Sequence, residues 1–149
     1  MKLLVLLLIA LTPIFLVSSS SGQDIIGPVR IFSVTQGTAS LNLGSERRSA
    51  GDRSFQGLLL IDREDHIIGY GSVACTFLGR TLPGSVSQCQ GHYILPRGKI
   101  VTLGTRQRND YYIMSIIGGT GFYSTMRGVL IVSTIQMGPR RERLFFSPE

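Results

Sequence analysis

The sequence predicts an all-β protein, an eight-stranded antiparallel up-and-down barrel, and three observations carry that expectation. Beyond residue 22 no apolar repeat of helical period runs through the chain. Short runs rich in Val, Ile, Leu, Thr, Phe and Tyr alternate instead with clusters of Gly, Asp, Asn and Pro. The connections between these runs are too short for parallel crossovers, which take about a dozen residues or more, so neighbouring runs pair antiparallel. Curling the sheet until its first and last strands meet removes the exposed edges, which makes closure the simplest topology.

The first element is not part of the barrel. Lys2, an apolar run from Leu3 to Val17 and the small residues Ser18 to Gly22 have the layout of a secretory signal, cut between Ser19 and Gly22. A membrane anchor is the competing reading, but a spanning helix takes about 20 apolar residues and this run contains Pro13. Residues 1–22 are therefore read as signal and 23–149 as one exported domain with no stable membrane insertion after cleavage. Strands are expected at Val29–Thr35, Phe55–Ile61, Ile67–Leu78, Gln88–Leu95, Lys99–Thr105, Tyr111–Ile117, Arg127–Ile135 and Arg143–Phe146. Turns fall at Asp62–Asp65, Pro83 with Gly84, Pro96–Gly98, Asn109 with Asp110, and Gly118–Gly121.

The stretch YYIMSIIGGTGFYSTMRG, Tyr111 to Gly128, separates two kinds of glycine cluster. A phosphate-binding loop needs a helix N-terminus immediately after its glycines. Here Phe122 and Tyr123 follow Gly121, and the strand-like VLIVSTI of Val129 to Ile135 comes soon after. The glycines thus read as a tight turn between strands. The runs Ile113–Ile117, Leu58–Ile61 and Val129–Val132 are apolar on both faces, as strands covered on two sides are. Self-association through a barrel face accounts for the outer cover.

In an oxidising compartment the two cysteines, Cys75 and Cys89, read as one disulfide, since their strands are joined by the loop at Pro83 and Gly84. No metal site is expected, because His66 and His92 lack ligand spacing. The formal charge of +6 is spread along the chain, with local groups at Arg47 and Arg48, Arg106 and Arg108, and Arg140, Arg141 and Arg143. These fall mostly in turns and read as a solvated rim, not a nucleic-acid footprint.

The ordered set SAGDRSFQGLLL (Ser49 to Leu60), GYGSVACTF (Gly69 to Phe77), CQGHYILPRGKIVTLG (Cys89 to Gly104), the GGTG turn with its later Arg and Gly, and RLFF (Arg143 to Phe146) resembles the dirigent proteins and allene oxide cyclases. The resemblance covers most of residues 23–149 and implies an eight-stranded barrel, a trimer, and a lumen that holds a small molecule. The chain departs from the cyclases in offering no carboxylate from Ser85 to Gln90 and only Asn42 near the barrel start. It departs from plant dirigent proteins in having Gly51 and Asp52 where they carry paired aspartates.

Asp52 matches the family's acidic position before the second strand, which implies an acid, base or orienting role, although an Asp beside Gly51 also suits a turn. Tyr112, facing inward if Ile113 faces outward, is a candidate donor to a carbonyl or quinone oxygen. Both are taken as catalytic candidates. Tyr70, between Gly69 and Gly71, together with His92, Arg106, Arg108 and Asp110, are ligand-binding candidates. A Ser, His and Asp set with convincing spacing is missing, which argues against hydrolase chemistry. The expected function is the steering of coupling or cyclisation of a small, largely apolar, phenolic or lipid-derived guest, with no cofactor. The alternatives are a carrier of lipocalin type and a basic factor that binds acidic glycans.

Overall fold

The computed structural model describes residues 27–44, 48–81, 84–107, 111–135 and 141–149. The expected signal at residues 1–22 and the residues Arg47, Arg108, Asp110 and Arg140 lie outside the described residues.

Eight strands form a closed antiparallel barrel in sequence order: β1 (Val29–Leu41), β2 (Arg53–Ile61), β3 (Ile67–Thr81), β4 (Gly84–Leu95), β5 (Gly98–Gln107), β6 (Tyr111–Gly119), β7 (Gly128–Ile135) and β8 (Arg141–Pro148). Closure is made by β1 against β8, with Val29 to Val34 opposite Phe146 to Arg141. Every expected strand is present; Val29, Ile67 and Tyr111 begin theirs as expected, and β5 and β7 begin one residue away from the expected start. The largest extension is in β1, where Gln36 to Leu41 continue past the β8 pairing, cross an irregularity between Thr35 and Gly37, and pair with β2 alone.

Alternation along each strand sorts the side chains into lumen and exterior. Leu58, Leu60, Val73, Tyr93, Ile100, Met114, Leu130, Val132, Leu144 and Phe146 are buried in the lumen. Each fully buried side chain of this kind contributes roughly 1.5–3 kcal/mol. Tyr93 meets Phe146 edge to face, with ring centroids 5.1 Å apart. Tyr93 also lies over Gly91, where a Cβ would strike its ring and hydroxyl and the Thr102 hydroxyl. Absence of a side chain at Gly91 is what lets this phenol cross the lumen.

The expected tight turn at Gly118–Gly121 is a longer connection, and this corrects the reading of the glycine cluster. Gly121 to Tyr123 form a 3-10 turn between β6 and β7. Gly121 takes a positive φ of 60°, and a Cβ there would strike the Arg97 carbonyl oxygen, so a side chain is disfavoured twice over. The chain length gained places Tyr123 and Met126 in the core, where they seal one end of the lumen. The Arg97 guanidinium covers the Phe122 ring from outside, 3.2 Å from its centroid.

Cys75 and Cys89 stand directly opposite on β3 and β4, with Cα atoms 4.0 Å apart, and form the expected disulfide. Both side chains are buried. No helix among the described residues is long and apolar enough to cross a membrane.

Candidate functional site

The connections after β2, β4 and β6 lie at the sealed end, and the ends of β1, β3, β5 and β7 frame the other. At that second end a cavity of about 860 Å³ opens between the strands. Its lining includes Arg48, Asp52, Ser54, Gln56, Ser87 and Arg106. Apolar side chains fill the sealed half of the lumen, while polar ones line the open half.

Arg106 continues the inward row of Ile100, Thr102 and Gly104 on β5. Its guanidinium lies over the Tyr112 ring, 4.6 Å from the centroid, and its Nη2 is 3.6 Å from Oε1 of Glu142 on β8. With β6 and β7 between these strands in the barrel order, the ion pair spans the lumen. Ser33 of β1 is paired with Glu142 across the closing seam and is itself buried. Deeper still, Tyr93 has Thr102 as its hydroxyl partner, and burial pushes its phenol well above the ordinary tyrosine range. Tyr93 is therefore a neutral hydrogen-bonding group at any physiological pH. The polar groups thus form a graded column, with a charged pair at the mouth and neutral hydroxyls below.

Asp52 lies on the mouth, but its oxygens are already engaged. Oδ2 accepts from the Ser49 backbone N–H at 2.7 Å, and Oδ1 accepts from the Leu43 N–H at 2.9 Å and the Ser49 hydroxyl at 3.1 Å. The backbone N–H groups of Ser49 and Leu43 hold its carboxyl below the usual carboxylate range. Backbone bonds from Phe77 N to Asp52 O and from Gly51 N to Phe77 O fasten the same segment to β3. This geometry is that of a clamp for the connection between β1 and β2. Nearby, Arg48 crosses the Phe77 ring at 4.7 Å and donates to the Ser87 hydroxyl at 3.5 Å.

The structure brings Asp52, Tyr112 and Arg106 to the open half of the barrel and separates Tyr70 and His92 from it. Gly69 and Gly71 share the inward direction of Val73 and Cys75, so Tyr70 between them faces out, 60% exposed. The glycines on either side leave no vacancy for the Tyr70 ring, because Leu60 packs against Gly69 and Leu58 and the Tyr93 ring pack against Gly71. His92 likewise alternates with the buried Gly91 and Tyr93 and points outward. Neither belongs to the lumen. Sequence reasoning missed Glu142, Tyr93, Thr102 and Ser87. Glu142 was detectable: it shares its parity with Leu144 and Phe146, so once RLFF is a strand with those two inside, the carboxylate is inside too.

No protein-family model and no curated protein matches the sequence. Solved structures do match in fold. A pyocyanin demethylase aligns over 78% of this chain and 97% of its own, with a TM-score of 0.69 and 23% identity. An exo-specific intermolecular Diels-Alderase aligns over 79% of this chain and 96% of its own, with a TM-score of 0.63 and 16% identity. A pterocarpan synthase dirigent protein aligns over 80% of this chain and 87% of its own, with a TM-score of 0.60 and 12% identity. The barrel is of the dirigent type that the sequence resemblance implied.

Proposed function

We propose that the barrel admits a small organic guest through its open end and steers a stereoselective conversion of it, in an exported protein that assembles as a trimer. The observation that carries this reading is the cavity of about 860 Å³, with a charged, hydrogen-bonding mouth above a packed apolar floor. Such a vessel suits a guest with a mostly apolar or phenolic body and an oxygen-bearing end. The matched folds belong to a demethylase, a Diels-Alderase and a synthase. Their names agree with small-molecule chemistry in this kind of barrel.

Holding one conformer of a reactive guest lowers the entropic part of the barrier and favours one face, so the reading calls for neither a covalent nucleophile nor a cofactor. Arg106 is assigned to the oxygen-bearing end of the guest, because its planar fork offers paired donors at the mouth. Glu142 is assigned the positioning of Arg106 across the lumen, and Tyr112 supports the guanidinium from below. Asp52 is assigned to rim order, through its clamp on the connection after β1.

Mass spectrometry of protein purified from its own host tests this directly. A bound small molecule is expected, and Ser87→Trp, which fills the mouth, should abolish its capture. Arg106→Lys keeps the charge opposite Glu142 but loses the fork, and should weaken guest binding about tenfold or scramble product stereochemistry. Retention of the guest by a correctly folded Ser87→Trp protein would overturn the reading.

A further inference from the structure

We propose that the outer face of β1 and β8 is a second binding site, one that takes an acidic sugar chain bearing carboxylate or sulfate groups. Here the register sets arginine against phenylalanine twice: Arg30 is opposite Phe145, and Phe32 is opposite Arg143. Both pairs project from the outer wall, since Ile31 between the β1 residues and Leu144 between the β8 residues are buried. The result is a chequered patch in which each cation adjoins two rings. Arg63, from the turn after β2, adds a third guanidinium, and together these residues bound a concavity of about 460 Å³.

The charges of this patch are uncompensated among the described residues. The ion pairs found there are Asp62 with His66 and Arg106 with Glu142, and neither involves Arg30, Arg63 or Arg143. Glu142, next to Arg143 in sequence, points into the lumen and is consumed there. Asp62, next to Arg63, accepts from the backbone N–H groups of Glu64 and His66 and from the His66 ring. Glu64 and Asp65 are exposed in the same turn but are not part of the lining. Among the described residues no carboxylate lines the concavity.

The chemistry selects the occupant. Guanidinium forks pair with carboxylate and sulfate oxygens in bidentate fashion. Arg30 is stacked 4.9 Å from the centre of the Phe145 ring, which restrains its fork before any anion arrives. Phe32 and Phe145 are half-buried, so they form an apolar floor between the arginines. That floor suits the C–H face of a sugar ring. An acidic polysaccharide supplies both partners at once, anionic groups for three arginines and ring faces for two phenylalanines. The site is on the outer wall toward the sealed end, so its occupation leaves the mouth open.

The test is titration of the purified full-length chain with oligogalacturonate, heparin, neutral dextran and oligo(dT). The wild type should bind oligogalacturonate or heparin with an affinity that falls as salt rises, and should ignore dextran. Arg30→Gln with Arg143→Gln should weaken that binding at least tenfold. Arg53→Gln with Lys99→Gln removes the same charge elsewhere and should weaken it less than threefold. Phe145→Leu keeps an apolar wall and should cost several-fold while leaving the salt slope unchanged. Preference for oligogalacturonate identifies carboxylate recognition, and preference for heparin identifies sulfate recognition; each supports the site. Equal losses in the two double variants, no loss in either, or tighter binding of oligo(dT) than of both glycans would each overturn it.

Discussion

Asp52 and Arg106 both reach the mouth, and the difference between them lies in what their polar atoms already hold. Asp52 spends its oxygens on two backbone N–H groups and one hydroxyl, whereas Arg106 makes a 3.6 Å contact with Glu142 and leaves donors facing the cavity. The lowered carboxyl of Asp52 sets the sign of its pH dependence. A carboxyl whose folded pKa is depressed stabilises the fold above its unfolded pKa of about 3.9, and that stabilisation is lost as pH falls through the folded value. Asp52→Asn should therefore lower the thermal midpoint at pH 7, and the gap from wild type should narrow as acidification passes below the unfolded pKa of about 3.9. A gap that stays constant from pH 7 to pH 2.5 in thermal melts would contradict the clamp. At this scale the sequence is readable through parity. Arg106 and Tyr112 sit on the inward side of their strands, as does Glu142, and only the third was overlooked. Tyr70 shows the limit of reading by neighbours: its flanking glycines make way for Leu58, Leu60 and the Tyr93 ring, while the pleat decides which way the Tyr70 ring points.

The strands were legible because each carries a run of β-branched or aromatic residues between turn formers, and local chemistry suffices to detect that. The outer half of β1 was not, since Gln36, Gly37, Thr38, Ala39 and Ser40 bury nothing and owe their extended form to pairing with β2 beyond the barrel wall. The connection between β6 and β7 was misread for a related reason. Its glycines announce a reversal, but the inward packing of Tyr123 and Met126 depends on partners remote in sequence. Met126→Ala should therefore cost about 2–5 kcal/mol in chemical denaturation, the range for emptying a buried site of this size, even though it lies outside any strand. A loss below about 1 kcal/mol would mean that this connection does not seal the barrel. The disulfide makes a separate contribution, because it ties β3 to β4 across a separation of 14 residues. Replacing both cysteines by alanine should lower stability by about 3 kcal/mol in urea unfolding, measured at fixed protein concentration.

For the molecule as a whole, closure hides every edge and leaves the outer wall to decide its associations. Ile113 and Ile117 on β6 are each nearly half exposed, with Leu103 beside them on β5. The proposed trimer would cover apolar side chains of this kind, and solution scattering should then return about three times the monomer mass. Ile113→Glu with Ile117→Glu should reduce that mass, whereas a wild type that scatters as a monomer would remove the assembly from the account. The two faces read as apolar from sequence are apolar in space, but which part of the exterior meets a neighbouring copy is a property of curvature, which the strand patterns do not encode.

Tyr123 and Met126 stop one end of the tube, and this has a consequence for traffic. Whatever enters must leave by the doorway it came in, so a converted molecule stands in the path of the next arrival until it departs. Turnover in such a blind alley would be governed by departure as much as by conversion, and products would compete with fresh substrate for the same threshold.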